Sequence, residues 1–328
     1  MLKVTLEGDV LGAARLRIRI GERFSVSFQR TLRIPDDGRT YPLPPSLGTF
    51  PIHRVADFSD RVTAKWREQG GYFIPMYQRE ALWLGFDGAS WKPNAVKIAI
   101  GKVNAISGEA WDETLHADPQ NYIVCPDQPW LDGINAGNGF IRQFVAMPLG
   151  LGYTVEAQIS GAEEFGGIQI LVYEPKPGTF ADEPPPTRSL GFDMLSAASL
   201  SIAEMGLGAG GKMQQKIYPD SYGIDTWDTE NYGSVFVHIV NSEQYRELTG
   251  FEAPPTPITA QIYTQYGLPW FSLYDETQGD LPASEKLSEV KTVQEQDLDE
   301  QDNETVDIAQ SQIEKLHHPP LEKGDSQN

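Results

Sequence analysis

RLRIRIGERFSVSFQRTLRI, residues 15–34, is the stretch whose reading decides the fold. Leu16, Ile18 and Ile20 alternate with Arg15, Arg17 and Arg19. After Gly21 the alternation resumes, with Phe24, Val26 and Phe28 set against Ser25 and Ser27. A period of two marks a half-buried strand, so the segment reads as a hairpin. A two-residue turn at Gly21-Glu22 would set Ile20 opposite Arg23 and Ile18 opposite Ser25, mixing polar and apolar groups on both faces. A three-residue loop, Gly21 to Arg23, instead pairs Ile20 with Phe24, Ile18 with Val26 and Leu16 with Phe28. One face is then wholly apolar, and the longer loop is expected.

Outward from the hairpin, short runs rich in Val, Ile, Tyr and Phe, bounded by Gly, Pro, Asn or Asp, predict further strands. They are Tyr72–Ile74, Ala81–Phe86, Ala95–Val103, Tyr122–Cys125, Ile141–Met147, Tyr153–Ile159, Gly167–Tyr173, Ser234–Val240 and Ile258–Tyr263. Helices are expected only over Phe192–Met205, ended by Gly206, and over Glu243–Leu248, ended near Gly250. The regular strand–helix alternation of a parallel α/β fold is missing. The fold class is therefore mostly β: an antiparallel sandwich- or barrel-like body with one or two short helices and a disordered acidic C-terminal tail.

The boundary of the body comes from composition. All seven Trp, 14 Phe and 13 Tyr lie at or before Tyr274. Residues 275–328 carry 15 acidic and four basic residues, a net charge of −11 within a chain of −20. Without aromatics, such a segment buries too little apolar surface to offset its ordering entropy, so disorder is expected. A coil of that length spans roughly 40 Å, against a radius of gyration of about 19 Å for the body. Docking of the tail on the body is thus geometrically allowed. Five prolines lie between Tyr173 and Phe192. The chain divides into a β-rich domain (1–173), a Pro-rich linker or surface loop (174–191), a smaller β-containing portion packed on the first (192–274) and the tail (275–328).

Several classes are excluded or disfavoured. One cysteine among 328 residues forbids an internal disulfide framework or a thiolate zinc site. No run approaches the roughly 20 apolar residues of a membrane helix, and the N-terminus lacks a signal-peptide core, so a soluble, cytoplasmic protein is expected. A chain of −20 repels nucleic acid at long range. Arg15, Arg17 and Arg19 form a one-sided cationic stripe, read as a solvated sheet face.

Motifs with chemical potential are weak. Gly206–Lys212, GLGAGGK, has P-loop spacing, but Met213 stands where a magnesium-ligating Ser or Thr is needed. It reads as a helix C-cap running into a loop. Asp220, Asp225, Asp228 and Glu230 cluster in PDSYGIDTWDTE and form a weak calcium candidate, without EF-hand spacing. The carboxylates from Asp225 to Glu230 also suit a glycosidase acid–base pair, a geometry easily met on a loop. Cys125, before Pro126, reads as buried and inert, and His238, within VFVHIV, as a hydrogen-bonded core histidine. Aromatic and Arg side chains dominate interface energies, which selects Trp130, Arg142 and Tyr153 as a candidate contact patch.

IRQFVAMPLGLGYTVEAQ (141–158), GGIQI (166–170) and KIYPDSYGIDTWD (216–228) resemble runs in a mainly bacterial family with no assigned activity. The resemblance implies one recurring unit over about residues 20 to 275 and transfers no residue role. The expectation is a non-enzymatic binding or protein-interaction module with a regulatory acidic tail and no cofactor, calcium apart. The alternatives are a carboxylate-dependent hydrolase acting on a glycan or small ester, and a self-assembling structural subunit, that is, a homo-oligomer.

Overall fold

A computed structural model describes residues 1–8, 16–183, 204–273, 279–297 and 309–316. The hairpin has the expected register: Ile20 faces Phe24 and Ile18 faces Val26 across the Gly21–Arg23 loop. Leu16, Ile18, Ile20, Phe24, Val26 and Phe28 all lie in one buried cluster. On the opposite side, Arg17 pairs with Asp87 and Arg19 with Glu7, each at 2.5 Å, which makes that face a solvated one. Arg15 lies outside the described residues.

The mostly antiparallel sheet grows from this hairpin. Phe24–Thr31 pairs with Ala81–Asp87, which pairs with Phe140–Pro148, which pairs with Glu204–Gln214. Glu204–Gln214 meets the 15-residue strand Trp227–Asn241 at Met205 and Ile239. That strand continues the sheet through Ile168–Pro175 to Asn94–Ile100 and the edge strand Ile123–Cys125. On its other side, Val237–Asn241 runs parallel to Tyr72–Met76. There too the Leu2 N–H donates to the Tyr232 carbonyl at 2.9 Å, bringing the N-terminal strand Val4–Glu7 alongside. The sheet thus folds over itself around a single large core, and strands on both sides of residues 174–191 share it. Among the described residues no helix is long and apolar enough to cross a membrane.

Four expectations need correction. Tyr153–Ile159 is not a strand but contains the helix Val155–Ser160, because the Thr154 hydroxyl accepts the Ala157 N–H at 3.1 Å and Gly161 closes the end with φ 76°. Ile258–Tyr263 is likewise part of the helix Ala260–Gln265, capped by Thr259. Both runs are short and rich in β-branched residues, and the capping threonine outweighs that propensity. GLGAGGK is neither loop nor cap but lies within the strand Glu204–Gln214. A Cβ on Gly210 would strike the Val145 side chain and one on Gly211 the Pro35 carbonyl, so close packing explains these glycines. The expected helix Phe192–Met205 falls outside the described residues except for Glu204 and Met205, which open that strand. The Glu243–Leu248 helix is present as Ser242–Thr249.

The fourth correction concerns the tail. Residues 279–297 pack on the body. The Asp280 carboxylate accepts the Ile217 N–H at 2.9 Å, and the Ser284 hydroxyl donates to the Ser107 carbonyl at 2.5 Å. Leu281, Leu287, Val290 and Val293 are buried. These residues are too sparse to build a core of their own, but each completes one made by the strands. Residues 298–308 and 317–328 lie outside the described residues, while Ile313–Leu316 pairs with Trp270–Leu273 as a small parallel sheet. Leu287→Ala is expected to lower the unfolding free energy by about 2–5 kcal/mol, measured by urea denaturation. A free tail predicts no change.

Candidate interaction surface

Residues 253–274, APPTPITAQIYTQYGLPWFSLY, run for 22 positions without one charged side chain, in a protein that is 22% charged. The structure shows what this segment does. Thr259 starts the helix Ala260–Gln265, accepting the Ile262 N–H at 3.2 Å. The inner side of the segment is anchored. Ala260, Tyr263 and Trp270 are buried, Tyr263 and Trp270 meet edge to face at 5.9 Å, and the Trp270 indole donates to Thr264 Oγ1 at 3.2 Å. Phe271 exchanges two backbone hydrogen bonds with Leu43, at 2.8 and 2.9 Å. Arg30, itself paired with Glu80, donates to the Pro255 carbonyl at 2.5 Å.

The outer side is unsatisfied apolar surface. Seven large hydrophobic residues are exposed among the described residues, and four of them, Ile258, Ile262, Tyr266 and Leu268, fall within this segment. Tyr266 is the most open of the four at 74%. Scattered exposed apolar residues are ordinary, but a cluster on an uncharged segment marks an interface, where charge is depleted and aromatics are enriched.

Next to it, Phe271 closes an apolar pocket of about 180 Å³ with Leu43, Pro44, Pro45, Trp83 and Trp130. Trp130 lies on the short strand Trp130–Leu131, where it pairs with Gly85. Asp132 forms part of the pocket lining, with its carboxylate buried and accepting from Gln215 Nε2 at 2.9 Å. Burial, opposed by hydrogen bonds from Gln215 and Trp130, pushes its pKa up to about 7. The Trp83 indole N–H is buried without a partner among the described residues. Such a pocket accepts an apolar side chain and leaves one donor, at Trp83, unsatisfied.

The three residues singled out for a contact patch separate in the structure. Trp130 lines this pocket, but Arg142 donates to the Val290 carbonyl and the Tyr153 hydroxyl to Asp297 Oδ1 at 2.5 Å. Arg142 and Tyr153 therefore hold the C-terminal segment. Asp297 also pairs with Arg79, and these partners keep its pKa below the usual carboxylate range despite desolvation. Sequence reasoning passed over the 253–274 segment, although its 22-residue gap in charge was there to be seen.

The acidic loop is used structurally. Asp220 Oδ2 accepts from the Tyr122 hydroxyl at 2.6 Å and the Trp227 indole at 2.9 Å, while Oδ1 accepts the Tyr222 N–H at 2.8 Å. Asp228 accepts the Glu230 N–H at 3.1 Å within a local turn, and Asp225 and Glu230 are exposed. Among the described residues no three His, Cys, Asp or Glu side chains gather as a cation site. Cys125 is fully buried, which pushes its thiol pKa well up. His238 bonds the Gly70 carbonyl at 3.0 Å between the rings of Trp66 and Phe236, and burial holds its pKa down at about 3. Both are core residues.

Comparison with protein-family models, curated proteins and solved structures returns no match for this chain.

Proposed function

We propose that the protein is a non-catalytic interaction module that seats an apolar segment of a partner protein on the outer side of residues 258–271. One anchoring side chain of the partner enters the Trp83–Trp130 pocket. The observation that carries this reading is the concentration of exposed apolar side chains on the one long uncharged segment of a strongly acidic chain. Charge around such a surface disfavours unspecific contacts, while the apolar centre supplies affinity. Residues 279–297 serve this reading as scaffold, not as a mobile guard.

A photo-crosslinking side chain placed at Tyr266 in the source cells tests it, with the same group at exposed Leu151 as control. A discrete adduct at position 266, lost on Ile262→Asp and reduced by Trp130→Ala, is expected. An adduct of twice the chain mass identifies the partner as a second copy. Equal labelling at both positions, or none at 266, defeats the proposal.

A further inference from the structure

On the outer face of the sheet, a groove of about 450 Å³ remains open between two covered regions. One roof is the cluster of Leu115 and Tyr122 over Tyr173 and Trp227; the other is Trp66 and Tyr245 over Phe73 and Val240. The floor is the paired stretch Gln169–Leu171 and Ser234–Phe236. Here the strand Trp227–Asn241 has a notch. It bonds Leu2 at Tyr232 and pairs with Tyr72 at Val237. Gly233 packs against Leu2 and Ile20 and the Phe236 carbonyl lies against Gly71, so only Ser234 and Val235 lack a strand neighbour on that side among the described residues.

The chemistry of the lining is specific. Arg54 and Lys102 both line the groove, and neither meets a carboxylate within 4 Å among the described residues. Lys102 sits over the Phe165 ring at 4.3 Å, and its backbone N–H donates to Gln169 Oε1 at 2.7 Å. The single lining carboxylate, Glu113, accepts the Tyr232 hydroxyl at 2.5 Å. The lining thus holds two cations against one carboxylate, in a chain of −20. Gln69 Oε1 is buried and unpartnered among the described residues, and an unmet buried acceptor favours a ligand that donates to it. Trp111 supplies an apolar flat face.

We propose that this groove is a binding site for a small acidic saccharide, one or two sugar units carrying a carboxylate. The carboxylate lies against Arg54 and Lys102, sugar hydroxyls donate to Gln69 and to the open edge at 234–235, and a ring face covers Trp111. The volume falls within the range of small-molecule sites. An acidic peptide adding to the sheet is disfavoured, because the open edge is only two residues long and closed at its ends by Leu2 against Gly233 and Gly71 against Phe236.

Isothermal titration of the full chain with digalacturonic acid, cellobiose and sodium acetate tests the assignment. Digalacturonic acid is expected to bind at least about tenfold more tightly than cellobiose, and more weakly as salt rises. Arg54→Gln, at an exposed site, and Lys102→Asn, which tolerates the φ of 58° found there, are each expected to weaken it about tenfold without lowering the melting temperature. Three results overturn the proposal: no heat with digalacturonic acid at millimolar concentration, variants that bind as tightly as the parent, or acetate binding as tightly as the disaccharide.

Discussion

Arg30→Ala is expected to destabilise the protein by about 3–5 kcal/mol, the cost of leaving one partner of a buried ion pair alone. Arg30 and Glu80 side chains are 8% and 2% exposed, and two guanidinium nitrogens reach Glu80 Oε1 at 2.8 and 3.0 Å. Glu80 Oε2 accepts the Tyr77 N–H at 2.9 Å, and Arg30 is the one cation paired with this carboxylate among the described residues. Desolvation raises the Glu80 pKa even with Arg30 present, and removing the cation raises it further. The same substitution frees the Pro255 carbonyl. Urea denaturation should therefore show the loss in stability, and amide exchange should show faster opening of 253–274. A loss below about 1 kcal/mol would mean that solvent reaches the pair and that it does not clamp the segment. Arg30→Met with Glu80→Leu is expected to recover most of the loss, since the costly state is the unpaired charge.

Asp132→Asn is expected to stabilise the protein at pH 8 by about 1–4 kcal/mol and to change little at pH 4. The folded-state pKa of about 7 lies above the unfolded carboxylate value, so the native state holds its proton more tightly than the unfolded chain does. That contribution is fully present below the unfolded pKa and is lost as pH rises through about 7. Asparagine resembles the neutral form and keeps an acceptor for Gln215 Nε2. Unfolding midpoints measured between pH 4 and pH 8 should fall for the parent and stay flatter for the variant. Parallel curves would show that Asp132 is ionised throughout.

The hairpin register was legible because Ile18, Ile20, Phe24 and Val26 leave only one pairing with a single apolar face. Strand identity was also readable wherever a run lay between turn residues, as at Ala81–Asp87 and Phe140–Pro148. It failed at Val155–Ser160 and Ala260–Gln265, where six-residue helices begin at a threonine whose hydroxyl caps them. Periodicity is ambiguous over so few residues, and the cap was the better signal. The glycines from 206 to 211 were misread because their cause is long-range: Val145 and Pro35 crowd them from distant parts of the chain. The candidate surface was half legible. Trp130 could be chosen as an aromatic, but its grouping with Pro44 and Phe271 depends on strand pairing that no local pattern reveals. Arg142 and Tyr153 were recognisable as contact-making residues, yet their contacts belong to a segment whose composition argued for disorder.

The seating of residues 279–297 has a consequence for biosynthesis. Arg142 and Gly208 meet their covering partners, Val290 and Val293, only after the chain has been made through residue 293. Until then the Phe140–Pro148 and Glu204–Gln214 strands lack this part of their cover, a state that invites aggregation of nascent β-structure. A premature stop near residue 275, harmless by composition, would release a chain that synthesis can complete but quality control must clear.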